Sequence, residues 1–213
     1  MLEKIACKLG RTDEQPNIAL AIELSCSEDI AGIEGIARGL KDKDQAVAND
    51  CIKVLYEIGY RKPNLITGYA CDFISLLSSK NNRLVWGGMI ALGTIAGLVP
   101  DILFENFRII KTAYDKGSVI TRDHSISVFA GISKACPEYE KIVFPLILEH
   151  LRTCRPKEIP QHSERAAYCV NFGNKDAFLE VLNARKGILT PPQRKRVDKL
   201  ITSMDGNIVY ESM

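Results

Sequence analysis

The chain has 213 residues, 46% of them apolar and 25% charged, with a formal net charge of +2. That length suits one core or a short array of units, and the composition is that of an ordinary folded protein rather than a disordered or membrane-embedded one. The near-zero net charge makes no case for nucleic acid. The charge is uneven, however: residues 1–40 carry four basic and seven acidic side chains, residues 116–199 fifteen and nine. The field therefore runs from acidic to basic along the molecule.

Strand signals are nearly absent, and apolar residues recur at intervals of three and four, the helical period. In chain order, a first helix pair is expected around Ile18 and Ala21, with a turn at Cys26-Ser27 and a second helix over Asp29 to Leu40. Ser27, Glu28 and Asp29 suit a helix start. The clearest unit follows, with one helix over Gln45 to Gly59, a turn at Tyr60–Pro63, and a second helix from Pro63 or Asn64 to about Leu77. The next has helices at Arg83 to Leu98 and Ile102 to Tyr114 around Pro100-Asp101. The one after has helices near Thr121 to Ala135 and Glu138 to Leu151 around Cys136-Pro137, with Thr121 as its cap. A longer, proline-rich loop, Arg152–Glu164, precedes a unit that turns at Gly173-Asn174. A last helix runs from Pro191 or Pro192 to Met204, and residues 205–213 read as a frayed tail.

A repeat underlies these units. Pro63, Pro100 and Pro137 lie 37 residues apart. In the same register stand Val54, Ala91 and Val128, then Leu55, Leu92 and Phe129, then Ile58, Ile95 and Ile132. Phe73, Ile110 and Ile147 follow, then Leu77, Tyr114 and Leu151. A two-helix unit of this size cannot bury its apolar stripe alone, so consecutive units must stack. The expectation is one all-α domain over residues 1–213, built of about five antiparallel helix pairs.

The segments LKDKDQAVANDCIKVLYEIG (Leu40–Gly59) and LSSKNNRLVWGGMIALGTIAG (Leu77–Gly97) resemble HEAT and armadillo-type repeats. Asp42, Asp44 and Val47 fit the acidic turn and its valine, and Ala91-Leu92-Gly93 fits the small-residue end. The family's arginine is replaced by Ala48 and Val85, although Arg122 occupies that place in the following unit. The resemblance covers roughly Ile18 to Ala184. It implies a right-handed superhelix of helix pairs and a scaffold or adaptor that binds other proteins. A few similar arrays process DNA bases, which leaves nucleic acid as the alternative partner.

Chemistry-bearing motifs are sparse. The seven cysteines include no CxxC, and the three histidines, His124, His150 and His162, include no HExxH or HxH. No catalytic residue, cofactor loop or preformed metal site is expected, so the reading is a non-catalytic binding module. Asp123 beside His124 reads as a helix start, His150 as a cation favoured at a helix C-terminus, and His162 as an exposed loop residue. In the resemblance the second helix of each pair lines the concave side. The candidate partner surface is therefore Tyr69, Asp72, Asn106, Arg108 and Lys141, joined by Arg152, Arg155 and Lys157 of the long loop. A base-processing site would draw on Tyr60, Tyr69, Asp72, Trp86 and Arg108. A protein or peptide partner is expected, with self-association possible and no membrane contact. The glycine-interrupted run Leu84–Phe104 reads as a buried helix and turn, not a membrane span. The opening MLEKIACKLGRTDEQ lacks the long apolar stretch of a secretory leader, which points to the cytoplasm.

Overall fold

The computed structural model describes residues 1–206, with the side chains of 205 and 206 left aside. Among them no strand occurs. Two short 3-10 turns, Leu2–Lys4 and Ala6–Leu9, lead into five helix pairs and a final helix. The pairs are α1 (Gln15–Ser27) with α2 (Ile30–Arg38), and α3 (Gln45–Arg61) with α4 (Ala70–Leu76). Then come α5 (Asn82–Ile95) with α6 (Pro100–Glu105) and α7 (Phe107–Lys116), α8 (Val119–Ala135) with α9 (Pro137–Thr153), and α10 (Ile159–Ala166) with α11 (Lys175–Arg185). The final helix, α12 (Pro191–Gly206), packs on α10. Helix α12 thus extends through the first two positions of the expected tail. The rest of that tail, 207–213, lies outside the described residues.

The 37-residue register predicts the core. Leu55, Leu92 and Phe129 are all 0% exposed, as are Ile58, Ile95 and Ile132, Val54, Ala91 and Val128, and Phe73, Ile110 and Ile147. Each large member stabilises the fold by roughly 1.5–3 kcal/mol through burial. The period therefore counts stacked layers. Its three prolines each open the second helix of a pair, at a position where the missing N–H has no intrahelical partner to lose.

Local chemistry decides the helix starts. Asp29 accepts from the Gly32 N–H, Asp44 from Ala46 and Asn81 from Arg83, at 2.9, 2.9 and 3.0 Å. Helix α8 begins earlier than expected. Its cap is Ser118, which accepts from Thr121 N–H, while Thr121 itself is buried inside the first turn. The second helices of two pairs are broken: a 3-10 stretch, Pro63–Tyr69, precedes α4, and Asn106 separates α6 from α7 by turning its amide onto the Ile102 carbonyl. The long loop expected at Arg152–Glu164 is largely helical. α9 runs to Thr153, a 3-10 turn covers Pro156–Glu158, and α10 starts at Ile159. The prolines there sit in first turns, so they start helices rather than prolong a loop.

The helices form two layers of different spacing. From α1 through α3 and α5 to α8 the first helices pack side by side along their lengths, while α2, α4, α6 and α7 touch their counterparts lightly; in the last pair α9 meets α11 about as closely as α8 meets α10. Small residues permit the close approach. A Cβ on Gly87 would stand 2.8 Å from Ile52, and one on Gly131 would strike Ala96. A two-layer stack bends toward its tighter layer, so the first helix of each pair faces the inside of the curve. Contacts that skip a unit agree: Glu14 at the start of α1 reaches Arg83 on α5 across α3, at 3.0 Å. This corrects the expectation that the second helices line the concave side. Both helices of a pair carry an apolar stripe, and only the spacing between units says which of them lies inside.

Two buried polar chains tie the units. Near the N-terminus, Asp50 accepts from the Cys7 N–H at 2.7 Å and from the Asn17 amide at 2.8 Å, and Asn17 accepts from the Ala6 N–H at 2.9 Å. This anchors the Ala6–Leu9 turn to α1 and α3. The second chain belongs to the candidate site.

Candidate functional site

The inner face is built by residues of α3, α5, α8 and α10 that point away from the core. At one end, Lys53 lies between Glu14 (2.8 Å) and Glu57 (3.0 Å), and Arg61 also reaches Glu57 at 2.6 Å. Burial works against the Lys53 charge, but the two carboxylates outweigh it and raise its pKa above the ordinary lysine range. Burial likewise opposes the Glu57 charge, and Arg61 and Lys53 overcome it, holding that carboxyl below its usual value. Aromatic rings alternate with these charges. Tyr56 sits 6.1 Å from Tyr60 and 6.3 Å from Trp86 between ring centres, with Lys53 over Tyr56 and Arg83 over Trp86 at 4.9 and 5.8 Å. Tyr60 is 56% exposed although it belongs to a buried-sided helix.

At the other end, a shallow hollow of about 250 Å³ is lined by Gly93, Thr94, Ser127, Gly131, Arg165 and Tyr168. Arg165 donates to Ser127 Oγ at 2.7 Å and to His124 Nδ1 at 3.2 Å. Burial, with the Arg165 charge beside it, pushes the His124 pKa down to about 4, so that imidazole is neutral at physiological pH. Lys134 lies 4.0 Å above the Tyr168 ring. Gly97 approaches the Tyr168 hydroxyl, so α5 and the segment after α10 meet across α8.

Behind this face runs the second polar chain, through four helices of three units. The Tyr114 hydroxyl lies 2.9 Å from His150 Nδ1, His150 Nε2 lies 2.7 Å from His162 Nδ1, and His162 Nε2 lies 2.9 Å from Asp123 Oδ1. A carboxylate only accepts, so His162 Nε2 carries a proton. In neutral rings the directions then follow in one sense, with Tyr114 O–H donating to His150 and His150 Nε2–H donating to His162. Both rings are neutral: burial, then the neighbouring His162, lowers His150 to about 4, and burial lowers His162 against the opposing pull of Asp123. Cys154 Sγ completes the cluster, its thiol pushed up to about 11 by burial.

The chain overturns three expectations. His162 is fully buried on α10 instead of exposed in a loop, because Ile159-Pro160 starts a helix there. His150 is a buried neutral ring instead of a cation at a helix end. Asp123 serves His162, and Arg165 serves His124. The sequence did carry one readable sign, since His150 and Cys154 stand four apart and therefore share a helix face. The partner on α10 leaves no such mark.

The predicted surface residues lie elsewhere. Tyr69, Asp72, Asn106, Arg108 and Lys141 belong to the outer layer, where Asp72 pairs with Lys41 at 2.8 Å and Lys141 with Glu138 at 2.8 Å. Arg152 lies 3.8 Å from Glu149 and Arg155 pairs with Glu158, while Lys157 is exposed. Tyr60 and Trp86 are inside and Tyr69, Asp72 and Arg108 outside, so the five do not form one base-sized pocket. Other basic side chains of the second half also turn onto oxygens. Arg185 bonds the Arg152 and Cys154 carbonyls, Lys186 pairs with Asp198 and Arg196 with Glu164. No helix of the described residues is long and apolar enough to cross a membrane.

No described family profile matches the sequence. Over 52 residues the chain is 35% identical to Maestro heat-like repeat-containing protein family member 1 of Dictyostelium discoideum. That stretch is 24% of this chain and 3% of the curated relative's length. Solved structures match over nearly the whole chain. An engineered protein superposes with TM-score 0.66 at 16% identity, covering 96% of each chain. A designed armadillo repeat protein in complex with the peptide (KR)4 gives 0.63 at 14% identity, over 94% of this chain and 98% of that one. Kap121p bound to Pho4p gives 0.60 at 16% identity, over 93% of this chain and 22% of that one.

Proposed function

The chain is an all-α solenoid of the HEAT/armadillo type, and from that premise we propose that it is a non-catalytic scaffold that binds an extended protein segment along its inner face. The observation that carries the reading is the row of rings and charges running from Tyr56, Tyr60 and Trp86 to Arg165 and Tyr168. Tyrosine, tryptophan and arginine supply large contact area at small entropic cost, and they recur where binding energy concentrates. The hollow at Arg165 and Tyr168 holds about 250 Å³, below the usual size of a small-molecule pocket, which suits a segment crossing the face rather than an enclosed small substrate. Two of the solved structures with the same fold hold a peptide or a protein.

Trp86 is the chain's single tryptophan, so its fluorescence can report binding. Peptides selected from a random library against the full chain are titrated into wild type, Tyr60→Ala and Tyr168→Ala. The expected loss is about tenfold for each inner-face variant, the equivalent of about 1.4 kcal/mol. Peptides that ignore both variants and lose affinity on Arg108→Ala and Lys141→Ala would move the binding surface to the outer layer and sink the proposal.

A further inference from the structure

We propose that His150, Cys154 and His162 form a binding site for a divalent transition metal, zinc being the cation whose chemistry the set fits, at the junction of the last two helix pairs. One donor atom from each residue lies within 4.8 Å of the other two, and all three residues are buried. The ligands come from both sides of a joint. His150 lies in the last turn of α9, Cys154 caps that helix four residues on with its N–H on the His150 carbonyl, and His162 faces them from α10. Two imidazoles and a thiolate are a donor set that zinc favours over magnesium or calcium.

The surroundings are those a metal-bound histidine needs. A ligating imidazole uses one nitrogen for the metal and donates the other N–H to an oxygen, which fixes the ring's tautomer and orientation. Here the two inward nitrogens, His150 Nε2 and His162 Nδ1, share one proton at 2.7 Å. The two outward nitrogens are already engaged, by Asp123 Oδ1 on His162 and by the Tyr114 hydroxyl on His150, each at 2.9 Å. A cation entering between the rings displaces the His150 Nε2 proton, which moves to Nδ1 and is donated to the Tyr114 oxygen. The Cys154 thiol loses its own proton to solvent. The thiolate and Asp123 then balance the two positive charges.

The movement required is small. Zn–N bonds of about 2.0–2.1 Å and a Zn–S bond of about 2.3 Å at tetrahedral angles place the nitrogens about 3.3 Å apart and the sulfur about 3.5 Å from each. From 2.7 Å the rings open by about half an ångström, and from within 4.8 Å the thiol closes by at most about 1.3 Å. The fourth position faces a cavity of about 410 Å³ lined by Tyr114, Arg122, His150, Cys154, Arg155 and Glu158, which provides both an entry path and room for a water. Three protein ligands with one open position distinguish this arrangement from a closed structural site.

Cobalt(II), added to the reduced full chain, is the probe. One equivalent is expected to produce the visible bands of a tetrahedral centre and a near-ultraviolet thiolate-to-cobalt band, and zinc is expected to abolish both by displacement. Cys154→Ser removes the thiolate band, and Cys26→Ser, at an exposed cysteine, leaves it intact. Asp123→Asn keeps all three ligands and weakens cobalt binding by about 10- to 100-fold. Wild-type protein that shows no tetrahedral spectrum at stoichiometric cobalt overturns the proposal without any variant. So does a spectrum that survives in Cys154→Ser and His162→Ala, since the ion is then held by other cysteines. The peptide titration is read independently, so either proposal can fail while the other stands.

Discussion

The two buried polar chains do the same mechanical work with different chemistry. Around Asp50, a carboxylate and the Asn17 carbonyl oxygen each accept a backbone N–H of the first turns, and the Asn17 amide donates to the carboxylate. Around His150, two neutral imidazoles carry the bonds between Tyr114 and Asp123. Both chains cross from one unit to the next, and contacts between neighbouring units carry most of the stability of a repeat protein. The first has one arrangement of donors and acceptors and closes a terminus. The second can reverse its donors, take up protons or exchange one for a cation, so its junction is open to control by the solution.

The comparison breaks most visibly at Asp50. Asp50→Ala leaves the Cys7 N–H and the Asn17 amide without their acceptor in a buried place. Two orphaned donors at roughly 1–3 kcal/mol each predict a loss of about 4 kcal/mol in urea unfolding. Cys7 should also react faster with a thiol reagent as the first turns come loose, and a labelling rate equal to wild type would show that they are held by something else.

The histidine chain should respond to pH. His150 is lowered from 6.5 to about 4 by burial, then by His162, with Arg122 adding to this against the pull of Glu158. The unfolded chain therefore binds the extra proton first, and stability falls as pH drops from about 6.5 to about 4, with nothing from this ring changing above pH 7. The depression corresponds to about 3 kcal/mol over that window. Urea titrations in the presence of a chelator, so that only protons compete for the rings, should show this slope. A His150→Phe variant should flatten it, and an equal slope in that variant would place the titration on other groups.

Tyr114→Phe is the mildest change. It removes the hydroxyl that donates to His150 and leaves the ring packed against Phe129. The expected cost is about 1 kcal/mol, well below that of Asp50→Ala, because a single neutral acceptor loses its partner. A larger loss would mean that the whole chain acts as one cooperative network.

The repeat register was legible because periodic burial leaves a periodic sequence. Leu55, Leu92 and Phe129 recur at one spacing and meet the same dry layer. The prolines at 63, 100 and 137 were legible for a local reason, their fit to a helix's first turn. Asp29 marked a helix start through a bond reaching only three residues along the chain. Tyr60 and Tyr168 were not legible as one surface, since they belong to units three apart in the stack. His162 escaped because an isolated histidine in a proline-rich stretch reads the same whether its ring faces water or a second ring.

By itself, the sequence determined the helices, most of their starts and the stripe each one buries, since these depend on neighbours within a few residues and on a spacing repeated along the chain. Tertiary structure alone decided which layer lies inside the bend, which rings share the inner face, and that His150, Cys154 and His162 meet. Those outcomes follow from how closely Gly87 and Gly131 let adjacent helices approach, and close approach across units leaves no period to read.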